Sequence, residues 1–196
     1  MKEQPRGQRV GVFVDVQNMY YSARFAYNAK VNFKAILTEA VGGRDLIRAM
    51  AYVIKAEEVE KESVFFDALG HIGFQVKTKD LQIFYGGAKK GDWDIGIAMD
   101  MIELAPKLDT VVLVSGDGDF IPLVQHLQRA IGCRVEVMAF GKSASSKLAE
   151  SADSFVDFDK NLKKFLIAKK IESRPVRQEI DTHNVGGVKN GGRTEK

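Results

Sequence analysis

The sequence predicts an α/β domain whose central sheet is mostly parallel and covered by helices on both faces. Strand-length runs rich in Val, Ile and Phe alternate with stretches of helical periodicity along most of the chain. Right-handed β-α-β crossovers place such helices on both faces of a parallel sheet. The run at 110–114 (TVVLV) is continuously apolar, as a strand buried on both faces requires. It leads directly into SGDGDF, and an earlier run, RVGVFVDV at 9–16, is likewise closed by an acid, Asp15. At 196 residues the chain is long enough for one such domain with a full core. We expect residues 9–168 to form it and 169–196 to be a basic, disordered tail, because large apolar residues almost vanish beyond Lys169.

The elements follow in order. Residues 9–16 read as the first strand. In the helix that follows, Tyr20, Ala23, Arg24 and Tyr27 fall at i, i+3, i+4 and i+7 on one face. Packing on the sheet is the expected use of those tyrosines, with base stacking as the alternative. A short helix is expected at 33–41, stopped by Gly42 and Gly43. The second strand is LIRAMAYVI at 46–54, and 56–71 has the clearest helical pattern, with acids in its first turns. A third strand, nearer an edge and interrupted around Asp80, is expected at 74–84. The Gly- and Lys-containing stretch 85–94 is either a substrate-facing loop or a polar connection. In the helix at 93–104, Asp94 shares a face with Ile97, Ala98, Met101 and Ala105, so its carboxylate points inward, whereas Asp100 lies well around the helix. The fourth strand is 110–114. A helix at 120–131, a fifth strand at 134–140, a short helix at 145–151, a short strand at 154–158 and a helix near 160–168 complete the domain.

Composition narrows the function. No apolar stretch approaches the ~18 residues of a membrane span, and the N-terminal segment has no apolar signal region, so a soluble cytoplasmic protein is expected. The single cysteine, Cys133, permits neither an internal disulfide nor a cysteine metal cluster. The formal charge of +3 is uneven: from Lys160 onward ten Lys and Arg stand against four Asp and Glu, which leaves the first 159 residues at −3. A basic tail suits a nucleic-acid partner and suits a solvated end equally well.

Ligands of parallel α/β sheets bind beyond the C-terminal strand ends, where the strand order reverses. If the fourth strand lies beside the first, Asp15 meets Asp117 and Asp119, and Asp94 can join them. Gly116 and Gly118 permit φ > 0 or a close approach to the backbone; the alternative is that Asp119 only caps the helix that follows. Four neighbouring carboxylates repel one another unless a cation neutralises them. Oxygen-only ligands favour Mg²⁺ or Mn²⁺ over zinc, and none of the three histidines falls in the set. Asn18 can orient a carboxylate or a phosphate. A site of this kind suits phosphodiester hydrolysis.

The segments VFVDVQN at 12–18, KKGDWDIGIAMD at 89–100 and VLVSGDGDFIPLVQHL at 112–127 closely resemble the NYN domain of the LabA-like group, a branch of the PIN-like metal-dependent nucleases. The resemblance spans 9–159 and keeps the order of motifs. It departs at Val16-Gln17, where many NYN domains have glycine before the asparagine, a difference that bears on the backbone turn. It implies a PIN-like three-layer α/β/α sandwich of Rossmann-like topology with strand order 3-2-1-4-5, a Mg²⁺ or Mn²⁺ site, and RNA as substrate. By position, Asp15, Asp94, Asp117 and Asp119 match the metal-binding and catalytic acids, Asn18 the motif asparagine, and Asp100 a recurrent supporting acid. Ser115, Lys89 and Lys90 are expected to position substrate phosphates. The leading expectation is a metal-dependent ribonuclease; the alternative is a non-catalytic RNA- or protein-binding regulator on the same fold. No membrane or dinucleotide partner is expected, and self-association or a protein partner stays open. A receiver-type phosphoacceptor is set aside, since no clear aspartate follows the third strand.

Overall fold

A computed structural model describes residues 7–55, 59–83, 89–90 and 92–167. The elements run β1 (Arg9–Asp15), α1 (Val16–Tyr27), β2 (Lys30–Val31), α2 (Phe33–Val41), β3 (Asp45–Lys55), α3 (Val59–Ile72), β4 (Gln75–Asp80), β5 (Gln82–Ile83), β6 (Lys89–Lys90) and α4 (Asp94–Leu104). Then follow β7 (Thr110–Val114), α5 (Ile121–His126), β8 (Arg134–Ala139), α6 (Ser146–Ser151), β9 (Ser154–Asp157), α7 (Leu162–Phe165) and β10 (Leu166–Ile167).

Six strands form one sheet in the order β4-β3-β1-β7-β8-β9, and every pairing in it is parallel. The expected order of five strands is present, and β9 adds a sixth at the edge. Successive side chains of a strand point to opposite faces, so β1 and β7 each feed two cores. Val12, Val14, Val112 and Val114 pack with Met19, Ile36, Leu69 and Phe165 on the face of α1, α2, α3 and α7. Phe13, Val111 and Leu113 pack with Ile97, Met101, Leu123 and Leu148 on the face of α4, α5 and α6. This is the three-layer α/β/α arrangement.

Several boundaries differ from the sequence reading. The expected helix at 120–131 opens with a 3₁₀ turn at Gly118–Phe120, runs as α5, and closes with a π-helical turn at Leu127–Ile131. That wide turn ends at Gly132, which takes a left-handed φ of 73° and donates its N–H to the Leu127 carbonyl. The last expected helix shortens to α7 because the chain leaves it to pair β10 with β2 antiparallel. β4 stops at Asp80, and after Leu81 the chain pairs β5 with β6. Residue 84 of the expected third strand, residues 85–88 and 91 of the expected loop at 85–94, residues 56–58 of the helix expected at 56–71, and residues 168–196 lie outside the described residues. Among the described residues no helix is long and apolar enough to cross a membrane.

The order reverses between β1 and β7. Their register pairs Val14 with Val114, so Asp15 and Ser115 leave the sheet side by side at the switch point.

Candidate metal centre

Two turns build the site. Asp15 closes β1 and also caps α1: its Oδ1 accepts the main-chain N–H of Asn18 at 3.0 Å, one of the amides a helix start leaves without a partner. Its Oδ2 accepts from Ser115 Oγ at 3.3 Å. That hydroxyl in turn accepts the main-chain N–H of Asp117 at 3.2 Å. Ser115 is fully buried. It was expected to position a substrate; burial leaves it to position Asp15 and the turn that carries Asp117. Asn18 ties the two segments a second time, its Oδ1 accepting the N–H of Gly116 at 3.0 Å.

Beyond Ser115 the chain enters the 3₁₀ turn. Its cap is Asp117, whose Oδ1 accepts the N–H of Asp119 at 3.0 Å. The capping role considered for Asp119 therefore falls to Asp117, because the helical segment begins two residues earlier than expected. Neither Gly116 nor Gly118 adopts a left-handed φ. Glycine is required at 116 by crowding: a Cβ there would stand 2.9 Å from the Cα of Ala144.

Asp94 arrives from another direction as the first residue of α4, where a carboxylate also meets the positive end of the helix dipole. Its position depends on Trp93, whose Nε1 donates to the Val53 carbonyl at 3.0 Å and whose ring lies 5.4 Å from that of Tyr52. Tyr52 donates its hydroxyl to Asp100 at 2.6 Å, and Lys77 Nζ donates to both oxygens of Asp100 at 2.8 and 2.7 Å. Asp100 is thus occupied with Tyr52 and Lys77, and it bears on Asp94 through the Tyr52–Trp93 contact.

The result is one acidic focus. Asp94, Asp117 and Asp119 each offer a carboxylate oxygen, and these oxygens all lie within 4.8 Å of one another. Asp119 is exposed and the other two half-buried, so the cluster opens to solvent. Asp15, expected as a fourth ligand, is not among these three, although it is close enough to feel the charges of Asp94 and Asp117. Burial, together with the charges of Asp94 and Asp117, pushes its pKa up to about 6 against the bonds from Asn18 and Ser115. Asp94 is also raised, first by burial and then by Asp117, Asp92 and Asp119, with Lys79 opposing. Lys79 is a neighbour that sequence reasoning did not single out. Its Nζ donates to the Asp92 carbonyl at 3.1 Å and lies 5.9 Å from the centre of the Trp93 ring. Only the parallel pairing of β4 with β3 brings it there, and no local pattern signals that. Lys89 and Lys90 form β6, but their side chains fall outside what is described.

The donor set fits a hard divalent cation. The clustered groups are all carboxylates, they carry excess negative charge, and they lack the imidazole or thiolate that zinc sites favour. The mutual repulsion of converging carboxylates is what an added cation relieves.

Comparison with known proteins agrees with this picture. The family model of the NYN domain matches residues 9–163. "Low amplitude and bright protein LabA" of Synechococcus elongatus is 27% identical over 165 residues, covering 79% of this chain and 86% of its own. The crystal structure of VPA0982 from Vibrio parahaemolyticus, a protein of unknown function, superposes with a TM-score of 0.76 at 36% identity, covering 84% of this chain and 99% of that one. The acidic centre at the β1–β7 switch point and the match over 9–163 identify the chain as a member of the NYN domain family.

Proposed function

We propose that the protein is a metal-dependent ribonuclease that hydrolyses phosphodiester bonds of single-stranded RNA. The observation that carries this reading is the convergence of Asp94, Asp117 and Asp119 within 4.8 Å at the open end of the sheet. Membership of a domain family whose nucleases act on RNA supports the choice of substrate.

Asp94, Asp117 and Asp119 would hold Mg²⁺ or Mn²⁺, and Asp15, bonded to Asn18 and Ser115 and within reach of the charges of Asp94 and Asp117, would complete the acidic set. When bound, the ion supplies Lewis acidity toward a phosphoryl oxygen and lowers the pKa of water. The chain's own residues do the rest. Ser115 and Asn18 lock the two acidic turns together, so the carboxylates need not reorganise when substrate arrives. Exposed Asp119 is the acid most accessible to incoming water and can accept its proton. Lys79 lies at the Asp94 side of the cluster, where a phosphate needs a cation. The basic residues Lys89 and Lys90 belong to the same phosphate-binding role.

The test uses purified protein with labelled single-stranded RNA, structured RNA and DNA. Cleavage of single-stranded RNA in Mn²⁺ or Mg²⁺ is expected, abolished by EDTA. Asp117→Asn should lower the rate at least ~100-fold with little change in melting temperature. Cleavage that persists in EDTA would overturn the mechanism, and RNA retention without turnover in any metal would make the protein a binding regulator.

A further inference from the structure

The outward side of α1 carries aromatic rings that the core does not use. Met19 and Ala23 fill its inward face, whereas Tyr20, Tyr21 and Phe25 are 47%, 44% and 79% exposed. The rings are ordered against one another. Tyr21 and Phe25, one turn apart, stack with centroids 5.7 Å apart and planes within 14°. Tyr20 meets Tyr21 edge-on at 5.5 Å. The Arg24 guanidinium lies 5.9 Å from the centre of the Tyr20 ring and donates to its hydroxyl at 2.8 Å.

Location and charge indicate what such a surface takes. α1 starts at the acidic centre, since Asp15 is its cap. At 1.5 Å of rise per residue, Tyr21 and Phe25 lie roughly 9 and 15 Å along the axis from it. From Val16 through Thr38 the chain has no Asp or Glu but carries Arg24, Lys30 and Lys34, while the first 159 residues together are acidic. Arg24, the cation observed among these rings, and the absence of acids from α1 itself suit an anionic partner that presents flat apolar faces. Another exposed apolar stripe, Ile95, Met99 and Ile102 of α4, has no aromatic ring and shares its helix with Asp94, Asp100 and Glu103. Unpaired nucleobases on a phosphate backbone match the α1 surface, because every base offers a π-face and stacking on aromatic side chains tolerates any sequence.

We propose that Tyr21 and Phe25, with Tyr20 and Arg24 beside them, form a platform on which bases of single-stranded RNA stack as the strand leads into the acidic centre. This rests on the ribonuclease reading for the direction of the strand, but its test does not require cleavage. Arg24 meets the backbone or stacks in turn on a base.

The experiment measures binding of a labelled 12-nucleotide single-stranded RNA to the full chain by fluorescence anisotropy, in the Asp117→Asn background so that the probe stays intact. Tyr21→Leu/Phe25→Leu keeps apolar bulk and removes the rings; it should weaken binding roughly ten-fold or more. Tyr21→Phe, which keeps the ring, should bind as the parent does, and the circular-dichroism melt of the Leu variant should be unchanged. Affinity for the same sequence as a duplex, whose bases are already stacked, should not depend on the rings. Equal affinity of the Leu and parent proteins for the single strand overturns the proposal, as does a parent that binds no RNA. A parent dimer that becomes monomeric in the Leu variant overturns it in favour of a protein interface. If the unmutated protein cleaves RNA yet the rings do not matter, only the platform fails. If the rings matter but no metal supports turnover, only the hydrolytic reading fails.

Discussion

Asp15 is the most constrained titratable group of the centre. It is held by two hydrogen bonds, yet its folded pKa of about 6 lies above the ordinary 3.8. A carboxyl with a raised pKa favours the folded state when protonated, so that contribution is full below about pH 4 and is lost as pH rises through 6. In metal-free protein the ionised group then opposes folding by up to about 3 kcal/mol. Asp15→Asn should therefore melt higher than the parent above pH 6 and about the same at pH 4. Adding Mn²⁺ should reverse the order at pH 7.5, since the parent gains a bound cation and the variant loses part of that gain. Thermal melts across pH, with and without metal, check both halves. Of the individual residues, Asp15, Asp117 and Asp119 were legible in the sequence because acids ending buried runs stand out. The shared hydroxyl of Ser115 and the approach of Lys79 were not, because both depend on partners outside their own segments.

At the scale of elements, the turn after β7 shows how packing determines chemistry. A methyl group at Gly116 would meet the main chain of Ala144 at 2.9 Å, and main chain cannot rotate away as a side chain can. Gly116→Ala should cost about 1–3 kcal/mol of stability. By displacing Asp117 it should also lower RNA cleavage about 100-fold. At Gly118 the nearest neighbour is the Ser145 side chain, at 3.1 Å, which can turn, so Gly118→Ala should be the milder change in both assays. Denaturant unfolding and single-turnover rates for the two variants decide this. β1, β7 and α2 are plain in the sequence because continuous apolar runs and paired glycines are local signals. The 3₁₀ and π turns around α5 are not, since Pro122 and the apolar stripe fit a longer α-helix equally well.

Across the whole molecule, Arg44 and Glu136 join the α2–β3 connection to β8 through a buried ion pair at 2.9 Å. Their side chains are 1% and 8% exposed. Arg44 also donates to the carbonyls of Ala40 and Val41, and Glu136 has a second, half-exposed partner in Arg134 at 3.1 Å. The two ends are therefore unequal. Glu136→Leu strands a buried guanidinium and should cost about 3–5 kcal/mol. Arg44→Met should cost less, because Arg134 still pairs with the glutamate, and the double variant should recover much of the loss. Chemical denaturation of the three variants measures this.

The sequence by itself determined the alternation of strands and helices, the two buried runs that end in acids, and the motifs that mark the NYN family. All of these reside in residue order and short-range periodicity. Only the tertiary structure decided that Asp94 reaches Asp117 and Asp119, that Ser115 is buried between Asp15 and the next turn, and that Tyr20 faces solvent where packing on the sheet was expected. The physical reason is that periodicity defines which residues share a face, whereas strand order and helix docking determine whether that face meets the core, a partner segment or water.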